Sequence, residues 1–342
     1  MAKAKEKTKS VKDIIAETKK EHGHGSVTTD DTGVDTDFPK ISTGILALDE
    51  KIGGGFPKGR IVDLYGPEGS GKTGIALSFL AQAQKEGICA FFDLEDAYDP
   101  NMARLNGVDT KELLLFHIEA MEDCLEKIID LALTGEVAAI VVDSFAGLTP
   151  RAEIEGDIGD SHVGLQGRLA SQALRILTKK MPATNSDTII VFVNQLRSNI
   201  GAFGHESKHT VTGGRAVKFY ASTRINVSKV GQLKRGDEVI GHSIRCKTEK
   251  CRLYKPFQVA DFDVLYGKGF SNGGTLLEQA VAAGLIVKSG NWYADATTGE
   301  SLGNGKNAAA EALSEDPEVF ERYRLALLDL PDDETDDTDE FP

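Results

Sequence analysis

Short, almost wholly apolar runs alternate with amphipathic segments over most of the chain. The runs at 60–65, 88–92, 113–118, 137–142 and 188–193 read as β-strands, because brief apolar stretches bounded by turn signals fit strands buried on both faces. Between the first two, Ile75, Ala76, Phe79, Leu80 and Ala83 recur at three- and four-residue steps and predict a helix over 74–86. Further helices are predicted near 100–105, over 121–133 and over 162–181. Apolar strands alternating with helices imply a parallel sheet covered on both faces. Polar residues gather where the strands end: Asp93 and Glu95, Asp143 and Ser144, Asn194 and Gln195. Open α/β sheets bind ligands at those ends.

From about residue 223 the pattern changes to shorter, alternating segments at 224–230, 243–250 and 262–266, which suit antiparallel strands at one side of the sheet. A smaller module follows, with a helix over 275–283, a hairpin over 285–294 and a helix over 306–328. Ahead of the core, Val11, Ile14, Ile15 and Thr18 mark a short amphipathic helix ending near His22. So short a helix needs a surface to pack on. The acidic stretch 28–37 reads as a linker.

Against this frame one loop carries specific chemistry. Gly66-Pro67-Glu68-Gly69-Ser70-Gly71-Lys72-Thr73 fits the pattern GxxxxGK[ST], with a strand before it and a helix after it. Successive backbone N–H groups at a helix N-terminus surround phosphates. Lys72 then reaches the β- and γ-phosphates, and the Thr73 hydroxyl ligates Mg²⁺. The loop predicts a bound nucleoside triphosphate. Asp143, at the tip of an apolar strand, has the position of a carboxylate that holds Mg²⁺ directly or through water. Glu95 and Asp93 compete as the carboxylate that orients an attacking water, with Glu95 preferred. Gln195 begins a long Gly-containing segment, 196–214, and its amide is placed to contact a γ-phosphate. A second Gly-rich segment, 155–164, precedes the helix bearing Arg168 and Arg175. Two such segments beside a triphosphate site suggest coupling of nucleotide state to a second ligand.

Charge indicates what that ligand is. The chain of 342 residues carries a net charge of −14. Eight acids and no base fall between 329 and 342, which leaves −6 for the rest. Between 215 and 255, eleven Lys or Arg stand against three acids, and a local excess of that size suits a polyanion. The acidic tail is expected to compete with that polyanion for the basic surface. No run of about 20 apolar residues is present to span a bilayer, and the first residues lack the apolar stretch of a secretory signal. Four cysteines without a CxxC pair suit free thiols in a reducing cytoplasm. His162 and His209 lack further His or Cys at ligand spacing, which argues against a zinc site.

Beyond the phosphate loop, several segments closely resemble the bacterial RecA recombinases: 66–73, 89–100, 141–165, 193–197, 212–222 and 267–274. The similarity runs from about residue 10 to 330. It implies a RecA-type P-loop ATPase core in the α/β class, with a mostly parallel central sheet flanked by helices. The implied divisions are an N-terminal oligomerisation helix and linker (1–33), the core with two DNA-binding loops (34–270), a small α+β C-terminal domain (271–330) and an acidic tail (331–342). The implied activity is a DNA-dependent ATPase that forms a filament on single-stranded DNA, pairs it with homologous duplex and exchanges strands. The expected cofactors are ATP and Mg²⁺. Partners would be single- and double-stranded DNA bound without sequence preference, further copies of the chain, a single-strand binding protein and a self-cleaving repressor of the SOS response. A hexameric helicase of related core and an ATP-gated scaffold that activates repressor cleavage are the alternatives.

The resemblance also implies roles residue by residue. Gly66 to Gly74 hold the phosphates, Glu95 activates water, Asp143 is the Walker B acid and Gln195 senses the γ-phosphate. Asp99, Met102 and Tyr266 surround the base. Arg168, Arg175, Arg197, Ser198, Gly213, Gly214 and Arg215 meet DNA. Lys250 and Arg252 reach the ATP of an adjacent subunit, with Lys218 and Phe219 at that interface. Four departures stand out: Gly74 where a hydroxyl residue is usual, Met102 where an aromatic is usual, Arg252 for Lys, and Arg215 as an added cation. They suit a divergent member of the family, of phage or cellular origin.

Overall fold

The computed structural model describes residues 10–22, 38–157, 160, 162, 164–198, 209–211 and 216–328. It divides into two units, Met1–Phe38 and Pro39–Pro342. The first contains α1 (Val11–His22). Ser10 and Asp13 cap this helix reciprocally: the Asp13 N–H donates to Ser10 Oγ, and the Ser10 N–H donates to Asp13 Oδ2. Val11 is 73% exposed.

The second unit runs β1 (Lys40–Ile41), α2 (Leu46–Ile52), β2 (Phe56–Pro57), β3 (Ile61–Gly66), α3 (Lys72–Ala83), β4 (Ile88–Asp93), α4 (Pro100–Leu105), β5 (Leu113–Phe116) and α5 (Met121–Leu133). It continues through β6 (Val137–Asp143), α6 (Arg151–Glu155), α7 (Leu165–Ala183), β7 (Ile189–Ser198), β8 (His209–Val211) and α8 (Ala216–Tyr220). Then come β9 (Thr223–Arg235), β10 (Glu238–Cys251), β11 (Val259–Leu265), β12 (Gly269–Ser271) and α9 (Gly273–Ala282). The chain closes with β13 (Ile286–Ser289), β14 (Trp292–Asp295), β15 (Ser301–Asn304), α10 (Lys306–Glu315) and α11 (Pro317–Leu328).

One large sheet organises the core, in the order β12-β11-β10-β9-β3-β7-β6-β4-β5, with β8 paired to β7. Strands β9, β3, β7, β6, β4 and β5 run parallel, and β9 to β12 form an antiparallel extension. The apolar runs have a simple cause. Alternate residues of each parallel strand feed opposite faces: Phe91, Val141 and Val191 pack with Ile75, Phe79 and Leu80 of α3. Phe92, Val142 and Phe192 pack with Leu125 and Ile128 of α5 and Leu174 and Leu177 of α7. A strand covered on both sides has no polar face to show. A third cluster, around Leu276, Leu277, Ile286, Tyr293, Leu313 and Tyr323, forms the C-terminal core. Asn272 ties it to the start of α2, accepting from the Leu46 N–H (3.1 Å) and donating to the Gly44 carbonyl (2.7 Å).

Several expected boundaries move. The helix expected over 306–328 is two helices, because Pro317 cannot continue the helix of α10 and pushes Asp316 to an extended conformation (φ −111, ψ 101). Asp316 Oδ1 then caps α11, accepting from the N–H groups of Glu318 and Val319. The hairpin over 285–294 gains a third strand, β15, on β14. The outer strands β9 and β10 extend well past the predicted 224–230 and 243–250 and meet at Gly236, whose φ is +63. The strand expected over 188–193 continues to Ser198 because β8 pairs along its tip.

Candidate nucleotide-binding site

The loop Gly66–Thr73 leaves β3 and enters α3, and its glycines are dictated by space. A Cβ on Gly66 would sit 2.0 Å from the Val227 carbonyl oxygen. Gly71 has φ +97, and its Cβ would sit 2.3 Å from Ile244 Cδ1. The loop is pinned against the outer strands by residues that cannot carry a side chain. Lys72 Nζ donates to the carbonyls of Gly66 (3.1 Å) and Pro67 (2.7 Å), and burial lowers its ammonium below the ordinary lysine range. The first turn of α3 has no side-chain cap, so its N–H groups and dipole face the loop. Ser70 Oγ is buried with no partner among the described residues. An uncapped helix start, a glycine cradle and an orphaned hydroxyl fit a bound phosphate chain.

Strand register brings the acids to this loop. Gly66 pairs with Gln195, Asp143 with Val193 and Asp93 with Asp143, so the strand tips lie level. Thr73 Oγ1 donates to Asp143 Oδ2 at 2.5 Å. Burial raises the Asp143 carboxyl to about 6. A hydroxyl and a carboxylate in contact form an oxygen donor set of the kind Mg²⁺ takes. Glu95 accepts from Gln195 Nε2 at 3.0 and 3.1 Å and from the Ser144 hydroxyl, leaving it exposed beside the loop. Asp93 is buried, and its two oxygens accept from the N–H groups of Ala97 (3.1 Å) and Tyr98 (3.0 Å). Asp93 is therefore bonded into the loop that presents Glu95, and it is buried where Glu95 is exposed.

The residues expected beside the base lie at the start of α4 and just past β11. Asp99 caps α4 through the Asn101 N–H (2.7 Å), and Met102 follows on that helix. A Cβ on Gly74 would meet Met102 Cε at 3.6 Å and Phe270 Cζ at 3.4 Å, so the missing side chain of Gly74 is replaced by neighbours. Tyr266 follows β11, its ring 5.7 Å from that of His242.

Lys218, Phe219, Lys250 and Arg252 form a separate cluster. Lys250 Nζ donates to the carbonyls of Lys218 (3.1 Å) and Phe219 (3.0 Å), and Arg252 reaches the Phe219 carbonyl at 3.5 Å. Phe219 is 64% exposed. Lys250 pairs with Arg224 and Arg224 with Asp63, three residues before the end of β3, so these cations lie down-strand from their own phosphate loop.

Two family models match in succession: the RecA N-terminal domain over residues 9–271 and the RecA C-terminal domain over 274–325. The chain belongs to the RecA family. It is 46% identical to Protein RecA of Cutibacterium acnes over 331 residues, which cover 96% of this chain and 93% of that protein. Protein RecA of Colwellia psychrerythraea is 44% identical over 328 residues, 95% of this chain and 93% of its own length. For Protein RecA of Bdellovibrio bacteriovorus the figures are 45% over 328 residues, 94% and 85%. The chain is a RecA-family recombinase, a DNA-dependent ATPase with strand-exchange activity, and neither the helicase nor the scaffold alternative is favoured. No described helix is long and apolar enough to cross a membrane.

Of the RecA-type DNA-binding residues expected, Arg168 and Arg175 are exposed on α7, two turns apart, and neither forms an ion pair with a described residue. The backbones of Arg197 and Ser198 pair with Thr210 and His209. Gly213, Gly214 and Arg215 lie outside the described residues, as do the linker 28–37 and the tail 331–342. Sequence reasoning missed Ser144 as a partner of Glu95, and it missed a buried ion pair between Asp63 and Arg224 (2.8 Å). The available signal for the latter was an acid inside the otherwise apolar run of β3.

Proposed function

We propose that this chain binds ATP and Mg²⁺ at the Gly66–Thr73 loop and completes the pocket with Lys250 and Arg252 of a neighbouring copy in a helical filament on single-stranded DNA. Lys72 exchanges its loop carbonyls for phosphate oxygens, and the N–H groups of residues 69–73 take the remaining charge. Thr73 and Asp143 would hold Mg²⁺, which when bound would neutralise the charge that develops on the phosphates. Glu95 orients a water and accepts hydrogen bonds from it, while Gln195 releases Glu95 to contact the γ-phosphate end. Asp99, Met102 and Tyr266 flank the base. Arg168, Arg175, Arg197, Ser198, Gly213, Gly214 and Arg215 contact the DNA backbone, which makes binding largely independent of sequence.

One observation carries this reading: Glu95 and Gln195 are bonded to each other at the phosphate loop, while Lys250 and Arg252 are bonded to the chain around Phe219 instead. Such a pocket has its base and sensor but lacks its cations until another subunit arrives. The proposed setting is the cytoplasm, with a single-strand binding protein and a self-cleaving repressor as further partners. The test is ATP hydrolysis with and without single-stranded DNA, beside a strand-exchange assay and negative-stain imaging with a non-hydrolysable analogue. A steep rise in hydrolysis with filaments on DNA is expected. A flat response from a monomeric protein would remove the proposal.

A further inference from the structure

A row of polar side chains crosses the sheet from one cluster to the other. It begins at Asn194, the residue before Gln195, whose Nδ2 donates to Asp63 Oδ1 at 2.5 Å. Asp63 Oδ2 accepts from Arg224 Nε at 2.8 Å, and Arg224 Nη1 donates to Glu249 Oε2 at 2.6 Å. Glu249 immediately precedes Lys250. The four residues sit on β7, β3, β9 and β10, which are neighbours in that order, so no strand is skipped. The guanidinium also lies 3.7 Å from the ring centre of Tyr65, next to Gly66 of the phosphate loop.

Asp63 and Asn194 are fully buried, and the Arg224 side chain is only 7% exposed, whereas that of Glu249 is 43% exposed. Apolar residues of similar volume would hold such strands together without the cost of desolvating charge. The row is also incomplete: Asn194 Oδ1 is buried and has no hydrogen-bond partner among the described residues. Asn194 adjoins Gln195 in the chain, as Glu249 adjoins Lys250, so the row ends beside both groups.

We propose that Arg224, held between Asp63 and Glu249, is a positioning residue that couples Gln195 to Lys250 and Arg252 within one subunit. Contact made at one pocket then alters the cations offered to the next, which makes ATP use cooperative along a filament. The proposal rests on the roles given above to Gln195 and the two cations.

The test is a double-mutant cycle on the full chain, with ATP titrated over saturating oligo-dT. Glu249→Gln keeps the shape and the acceptor but removes the charge, and its site reaches solvent, so the fold is retained. The expected result is a loss of cooperativity in ATP and a fall in kcat of about fivefold, the scale of coupling in one hydrogen-bonded network, with half-saturation little changed. Glu249→Asp restores much of the cooperativity. Glu249→Gln added to Gln195→Ala costs nothing more than Gln195→Ala alone. If the two effects multiply, the link is overturned while the role of Gln195 stands. If Gln195→Ala hydrolyses ATP like the parent, the site reading fails and takes the link with it. A lowered melting temperature with unchanged cooperativity in Glu249→Gln would mark a merely structural pair and overturn the proposal.

Discussion

The cations Lys250 and Arg252 give the sharpest test, by complementation between two inactive proteins. Lys250 lies in register with Arg224 and Asp63, two strands across from β3 and three residues short of Gly66. At strand dimensions that is about 10 Å along and about 10 Å across, more than twice the reach of a lysine side chain. Its ammonium is bonded to the Lys218 and Phe219 carbonyls besides. Lys72→Ala should inactivate a protomer's own pocket and leave its donated cations intact. Lys250→Ala should do the reverse, at a cost of about 10²–10³-fold in hydrolysis, the effect of removing one preorganised charge stabiliser. Each is then nearly inactive by itself. Mixed in equal amounts before DNA is added, random head-to-tail assembly yields a sound pocket beside a sound donor at about one quarter of the interfaces. DNA-stimulated ATP hydrolysis should recover to about that fraction of the parent rate and fall off symmetrically as the ratio departs from equality. Were the cations to serve their own pocket, no mixture would contain an active site. Activity that never exceeds the separate proteins would refute the shared pocket.

Three further outcomes follow from named contacts. Because burial raises Asp143 to about 6, the protonated form, which cannot ligate a cation, accumulates below that value. The Mg²⁺ concentration for half-maximal nucleotide binding should therefore rise about tenfold per pH unit below the transition, and Asp143→Asn should abolish that dependence. The same shift means native Asp143 binds a proton that the unfolded chain does not between about 4 and 6, so its contribution to stability declines as pH rises through that window. Gly71→Ala places a Cβ on Ile244 at a φ of +97 and should cost about 1–2 kcal/mol in the loop conformation, read as weakened binding of a fluorescent ATP analogue that Ile244→Ala only partly restores. In the C-terminal core, Asp295 accepts from Tyr323 Oη (2.6 Å) and from the N–H groups of Thr297 and Thr298, which hold its carboxyl far below the usual range. That stability is present above the unfolded carboxyl value and is lost as pH falls below it. Tyr323→Phe should cost about 1.5–3 kcal/mol at neutral pH and almost nothing in strong acid, followed in urea by the fluorescence of Trp292, the chain's only tryptophan.

The parallel core was legible because each of its strands is buried twice, and the resulting apolar runs cannot be mistaken for half-exposed ones. The phosphate loop was legible because its glycines, lysine and threonine stand at fixed offsets between a strand and a helix. What the sequence could not show is which distant strands become neighbours. Asp63 and Arg224 are 161 residues apart, and only the order β9-β3-β7 turns an acid in an apolar run into half of an ion pair. The different surroundings of Asp93 and Glu95 were similarly opaque, since both stand at the end of β4 and only the fold buries one and exposes the other. The outer ribbon was underestimated because the stretch 231–238 is largely exposed and shows no alternation to read. The break at Pro317 was visible in the residue itself but hidden by helical spacing on either side.

The helix behind the phosphate loop, α3, is almost wholly enclosed. All of α3 except Thr73 and Gln82 is buried, and its Phe79 and Leu80 pack among Phe56, Phe91, Val141 and Val191. So thoroughly embedded a rod has no room to roll or slide when a triphosphate arrives or is cleaved. It acts as a fixed anvil. What changes when the pocket fills is therefore sought at the strand tips, where Glu95 and Gln195 stand.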